Sequence, residues 1–227
     1  MRDPTKACAS QRRSYHARTW GWIGVRALRI LTATWREHHE GLHLLDELLE
    51  NKRPHIMTFW HRKFVTLFPL LQGRPVCVAT AASPPGDIIA DMCDRFGYLS
   101  VQIPDHGRDH SLNLMGKAFA HADQASMAVD GPHGPYHAVK QGAIQLASDL
   151  GHLIVPVSVA TRRNIVLSHR WDQLEIPVAF TRVSLVIGDP INIPPNLSQD
   201  KLPIWTKRLH DVLEELDERA ERKVRGL

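Results

Sequence analysis

Cysteine is scarce in this sequence, and its placement excludes more than its number does. Cys8, Cys77 and Cys93 are the three, with no close-spaced pair. Neither a disulfide framework nor a structural zinc site follows, and a reducing compartment is expected. No run of 18 apolar residues occurs, so no helix is expected to span a bilayer. The N-terminus lacks the apolar core and cleavage site of a signal peptide. Charge of one sign is also modest: a net +4 over 227 residues excludes a strongly basic nucleic-acid binder. There is no Gly-x-Ser-x-Gly elbow, no Gly-x-Gly-x-x-Gly and no P-loop, so a serine hydrolase of that type and a nucleotide site both lack support. The expectation is a cytoplasmic protein whose contact with a membrane, if any, is peripheral.

What is present is enough for one large domain. Hydrophobic residues make up 43% of the chain, which suffices for a core. The positive charge is uneven. Up to residue 36 stand Arg2, Lys6, Arg12, Arg13, Arg18, Arg26, Arg29 and Arg36 against Asp3 alone. Such an arm suits an anionic surface. Residues 1–18 are expected as a basic, flexible arm and residues 19–227 as the folded domain. From Trp20 to Trp35 the apolar residues Trp20, Ile23, Ala27, Ile30, Leu31 and Trp35 recur at helical spacing with arginines between them. That pattern fits an interfacial membrane helix as well as one packed on the domain.

Short apolar runs alternate with helical patterns through the rest of the chain. Strands are expected at residues 55–60, 75–80, 99–103, 126–130, 153–159 and 182–187. Helices are expected at 42–49, 64–71, 86–96, 111–122 and beyond Gly142, with Gly97 as a C-cap. A last amphipathic helix starts at Ser198, and its charged end, 217–225, is expected to fray. The fold class is therefore α/β: a single domain with a mixed, mostly parallel sheet flanked by helices. In such sheets ligands and chemistry collect at the carboxyl ends of strands. His61, the Ser83–Asp87 loop, the Pro104–Asp109 loop and the Asp130–Lys140 loop all fall there.

The last of these loops is the most informative. Asp130-Gly131-Pro132-His133-Gly134-Pro135 leads to Lys140-Gln141-Gly142. Prolines fix φ and glycines admit close backbone approach, so Asp130, His133 and Lys140 are expected in fixed relation. Lys140 as a point charge and His133 as a donor suit a phosphate or hydroxyl-bearing head group. His61, following Phe59-Trp60, has an imidazole suited to taking a proton from a hydroxyl. Asp87 is read either as its orienting acid or as a first-turn helix acid. His106/His110 and His133/His137 are each four apart, but Gly107, or Gly134 with Pro135, interrupts the helix that would pair them as ligands. No metal is expected.

Phe59-Trp60-His61, Gly86-Asp87-Ile88-Ile89-Ala90, the Asp130–Pro135 segment, Lys140-Gln141-Gly142 and Val155-Pro156-Val157 occur in this order. Together they resemble the lysophospholipid acyltransferase-like superfamily, in its branch catalogued as domain of unknown function 374, over roughly residues 25–195. The resemblance implies a fold like that of glycerol-3-phosphate acyltransferases and transfer of an acyl chain from a thioester to a hydroxyl of a lipid or sugar-lipid. It implies His61 as general base and Asp130, Gly131, Pro132, His133, Gly134 and Lys140 as acceptor-binding. It also implies acyl-CoA or acyl carrier protein as donor, with no cofactor beyond it. The chain departs from the superfamily pattern in three places. Five residues after His61, where the superfamily has its partner acid, stands Thr66. Pro85-Gly86-Asp87 replaces the usual Asp-Gly-Glu, and His133 stands where an arginine is common. These departures motivate an alternative, a non-catalytic lipid-binding protein that keeps the fold. A metal-dependent hydrolase is a distant third.

Overall fold

The computed structural model describes residues 14–104, 107–131 and 134–226. Residues 1–13 of the expected arm lie outside these. Residues 15–18 form the first turn of a helix rather than a tail, because the Ser14 hydroxyl accepts from the Ala17 amide and starts α1 (Tyr15–Thr32) there.

The remaining elements in chain order are β1 (Arg36–Glu40), α2 (Leu42–Glu50), β2 (His55–Phe59), α3 (Phe64–Leu70), β3 (Val76–Ala81), α4 (Pro84–Phe96) and β4 (Leu99–Ile103). Then come α5 (Arg108–Phe119), β5 (Gln124–Ala128), α6 (Gly142–Leu150), β6 (Leu153–Thr161), β7 (Asn164–Leu167), β8 (Leu174–Pro177), β9 (Arg182–Ile187), β10 (Ile191–Asn192) and α7 (Leu202–Arg225). The main sheet runs β1-β9-β6-β2-β5-β3-β4, with β10 beside β6. All its pairings are parallel except β6 with β9 and β10 with β6. The fold is thus the expected mixed, mostly parallel α/β sheet with helices on both faces. β7 and β8 form a separate antiparallel hairpin.

Period-2 alternation sorts the strand side chains into two cores. Met57, Val155 and Val157 pack under α1 to α4, whereas Ile56 and Ile154 pack under α5 to α7. The charged end of α7 is ordered, contrary to the fraying expected from its composition. Leu216, Ala220 and Val224 are buried against Ala160 and Val186, so one apolar residue per turn holds the helix to the sheet while the charges face outward.

Two further differences have simple causes. β1 is Arg-Glu-His-His-Glu, with no apolar pattern to mark it, and it exists because its backbone pairs with β9 along the sheet edge. The buried side of α1 is Ala17, Gly21, Val25 and Leu28, which meets α4. Trp20, Ile23 and Ile30 of the helical stripe read from the sequence point outward instead, because small residues allow the closer helix approach. Among the described residues, no helix is long and apolar enough to cross a membrane.

Candidate active site

β2 delivers His61 to the carboxyl edge of the sheet, where Trp60 is buried and a short 3-10 turn, His61–Lys63, begins. The neighbouring parallel strand β5 delivers Asp130 to the same edge. The Asp130 carboxylate accepts the His61 backbone N–H at 2.8 Å, so these two residues, 69 apart in sequence, are locked together. Asp130 is fully buried, and burial pushes its carboxyl up despite the hydrogen bonds it accepts from the backbone.

The imidazole itself is held by an acid that sequence reasoning missed. His61 Nδ1 lies 2.8 Å from Asp172 Oδ2 in the turn between β7 and β8. Asp172 is fully buried, and Arg170 grips it with Nε at 2.8 Å and Nη2 at 2.9 Å. Burial alone would raise this carboxyl. The bonds from Arg170 and His61 together outweigh it and hold Asp172 below the usual carboxylate range. An ionised Asp172 accepts only, so Nδ1 carries a proton, and in the neutral ring it is Nε2 that presents the lone pair. The His61 side chain is 28% exposed, so that edge of the ring is reachable.

Asp87 does not take this role. It sits in the first turn of α4, where its Oδ1 accepts from Gln102 Nε2 at 2.6 Å. Its place in a helix whose start is set by Ser83 and Pro84 directs the carboxylate toward β4. The position five after His61, Thr66, is buried inside α3. The acid instead arrives from a hairpin 111 residues later. A signal for that hairpin was available: two four-residue runs rich in apolar residues, 164–167 and 174–177, bracket a polar turn containing Asp172. What sequence spacing does not reveal is which strand end that turn folds over.

Aromatic rings and the glycine loop enclose the imidazole. Phe64 meets it edge-on at 5.2 Å and Trp171 lies tilted at 5.0 Å. At Gly131 an added Cβ would stand 2.9 Å from His61 Cδ2, so only glycine lets the loop pass this close. Gly134 in turn abuts Trp171, where an added Cβ would be 3.0 Å from Cε3. The Lys140 amide donates to Val129 at 2.8 Å and closes the loop back onto β5. Pro132 and His133 lie outside the described residues. Behind Phe64, between α3 and the sheet, is an apolar cavity of about 40 Å³ bordered by Phe59, Leu67, Phe68 and Tyr98. Among the described residues, no three His, Cys, Asp or Glu side chains converge as metal ligands.

On the other side of the strand end, His137 stacks on Trp60 at 4.3 Å and on Tyr136 at 4.4 Å. Burial first, then the nearby charges of Arg62 and Lys63, push its imidazole down to about 4 from 6.5. The unfolded chain therefore takes up this proton near pH 6.5 while the folded chain refuses it until about 4. As pH falls through that window His137 should withdraw roughly 3 kcal/mol of stability, with no further loss below it. Urea denaturation at pH 7, 5.5 and 4.5 is expected to show His137→Phe falling less steeply than the wild type; parallel curves would contradict this assignment.

A search with protein-family models finds no match to this chain. The branch-level resemblance therefore rests on its motifs alone. One curated relative, "Uncharacterized protein RP090" of Rickettsia prowazekii (strain Madrid E), is 25% identical over 170 residues, covering 73% of this chain and 76% of that protein. Among solved structures, the 1-acyl-sn-glycerophosphate (LPA) acyltransferase PlsC from Thermotoga maritima superimposes with a TM-score of 0.55. The match covers 96% of this chain and 84% of that one at 19% identity. The two chains share a fold. The parallel pairing of β2 with β5 puts His61 and Asp130 at the same carboxyl edge, the edge where open α/β sheets in general bind their ligands.

Proposed function

We propose that this protein is a peripheral-membrane acyltransferase. It moves a fatty acyl chain from acyl-CoA or acyl carrier protein to a hydroxyl of a lysophospholipid or other lipid or glycolipid acceptor. The observation that carries this reading is the His61 imidazole, fixed by an ionised buried Asp172 with its Nε2 edge open at the strand end. In that arrangement Nε2 takes the acceptor hydroxyl's proton as its oxygen attacks the thioester carbonyl. The tetrahedral intermediate then collapses, the carbon–sulfur bond breaks, and the thiolate leaves with the proton returned by His61. Asp172 stabilises the imidazolium between the two transfers. The loop from Asp130 to Gly134, with Lys140, positions the acceptor.

Membrane contact is supported by α1. Tyr15, Trp20, Trp22, Ile23 and Ile30 are exposed on it, and Arg26 lies over the Trp22 ring at 5.2 Å. Exposed Phe180 joins the patch, its amide bonded to Thr34 just past the helix. Tryptophans beside arginines suit the headgroup region of an anionic, inner-face leaflet. The binding-only alternative drew on the lost dyad and on Pro85 in place of the usual acid, and the Asp172 carboxylate on the imidazole weighs against the first of these.

The test is transfer of a labelled acyl group from acyl-CoA and, separately, acyl carrier protein into a mixed lysolipid and glycolipid extract. A labelled ester product is expected with one donor. Folded, vesicle-bound protein that yields no product with either donor would overturn the proposal and leave the binding module.

A further inference from the structure

The base and its acid come from two short segments, residues 61–63 and 172–175, and these segments touch twice. The first contact is His61 with Asp172. The second joins the residues just beyond: Arg62 Nη2 is 2.6 Å from Glu175 Oε1, and Lys63 Nζ is 3.4 Å from Glu175 Oε2. Glu175 and Lys63 are almost wholly buried, at 7% and 4% exposure. Lys63 also lies 3.8 Å from Asp217 of α7, which accepts the Ser158 hydroxyl. Arg62 donates to the Tyr136 hydroxyl, in the loop that begins at Asp130. One guanidinium therefore ties together the turn holding the base, the hairpin holding the acid and the glycine-proline loop.

We propose that Glu175 is a positioning residue for the His61–Asp172 pair, acting through Arg62 and Lys63. The hairpin β7–β8 is tied at its base to the β6–β9 pair, where the Arg162 N–H donates to the Arg182 carbonyl, but it shares no strand pairing with β2 among the described residues, so no backbone ladder fixes the distance between its turn and His61. Side chains must do so. An apolar contact would hold the hairpin down yet let it slide, whereas a buried carboxylate gripped by two cations has one good geometry. Buried ion pairs add little net stability because desolvation offsets their attraction. Their value here is directional: a shift of about 1 Å in the hairpin would break the bond between Nδ1 and Asp172. This inference rests on the proposed role of His61 only for its kinetic readout.

The experiment is a double-mutant cycle of Glu175→Gln with Asp172→Asn, read in two ways. The first is steady-state acyl transfer. Glu175→Gln is expected to lower kcat at least tenfold with KM within about threefold, yet to cost under threefold in the Asp172→Asn background. The same fold loss in both backgrounds would overturn the proposal, since Glu175 would then act independently of the pair. The second readout is the downfield Nδ1 proton resonance of His61, assigned by its absence in His61→Ala. It should weaken or move upfield in Glu175→Gln; an unchanged signal would overturn the proposal whether or not transfer is observed. Should a protein without transfer activity still show the signal responding to Glu175, the positioning stands and the acyltransferase reading alone fails. Because Glu175→Gln leaves two buried cations facing one carboxylate fewer and can fail to fold, Glu175→Asp provides a second variant. It keeps the charge, retracts it by one methylene, and is expected to lie between wild type and Glu175→Gln in both readouts.

Discussion

Asp172→Asn is expected to lower acyl transfer by about 10²–10⁴-fold while leaving the fold intact. That corresponds to roughly 3–5 kcal/mol of transition-state stabilisation. The carboxamide is nearly isosteric, so the buried space is filled, but two things change. The amide can offer an N–H to His61 Nδ1, which favours the tautomer with its proton on Nε2, the wrong edge for accepting one. The negative charge facing the imidazolium is also lost, and Arg170 is left beside a neutral partner. His61→Ala should remove at least as much, since it deletes the imidazole that takes the proton. The discriminating comparison is Asp87→Asn. Its carboxylate bonds only to Gln102 among the described contacts, so turnover should stay within about threefold. Rates measured side by side decide the matter: a collapse in Asp87→Asn with a spared Asp172→Asn would reverse the assignment of the acid.

Gly86→Ala is expected to be the most damaging single-methyl change to stability. An added Cβ would lie 1.8 Å from the Ala81 carbonyl oxygen and 2.8 Å from its carbon, both backbone atoms at the end of β3. No rotamer relieves such a clash; α4 must move off the strand. That motion would also stretch the bond from the Gly86 amide to Ser83 Oγ, now 3.2 Å, which caps the helix. Overpacking costs about 1–3 kcal/mol and a lost cap about 1 kcal/mol, so a loss of about 2–4 kcal/mol is expected. For a chain of this size the melting temperature should fall by roughly 10 °C. Gly73→Ala is the informative control. Gly73 has a positive φ of 83° but nothing within 4 Å of an added Cβ, so it pays only for left-handed backbone, about 1 kcal/mol. Gly86 itself has helical backbone and no positive φ, so equal thermal shifts in the two variants would overturn the collision.

Much of this molecule is legible in its sequence. The runs read as strands at 55–60, 75–80, 153–159 and 182–187 are strands at 55–59, 76–81, 153–161 and 182–187, and their residues alternate between two cores or are buried on both faces. Gly97 marked the end of α4 by local chemistry alone, whereas its start, expected at residue 86, lies at Pro84 behind the Ser83 cap. The carboxyl-edge position of His61 and Asp130 followed from the parallel order of strands, which is a rule of connection and not of particular contacts. Local patterning determines elements, and elements in this order determine a sheet.

The partner of His61 was a different kind of fact. A carboxylate in the first turn of α4 and one in a turn 111 residues away are equal candidates to any reader of spacing, and the helix-bound one looks the better placed. Only the folded chain brings the β7–β8 turn over the end of β2, and it does so through buried charges, Arg62 and Lys63 on Glu175, whose pairing has no sequence period. The same holds for α1, whose packed side was decided by the close approach of α4 and not by the larger apolar residues. Periodicity is set by the backbone of one segment, so one segment suffices to read it. Contacts between segments are set by the whole packing, and the acid of this site is such a contact.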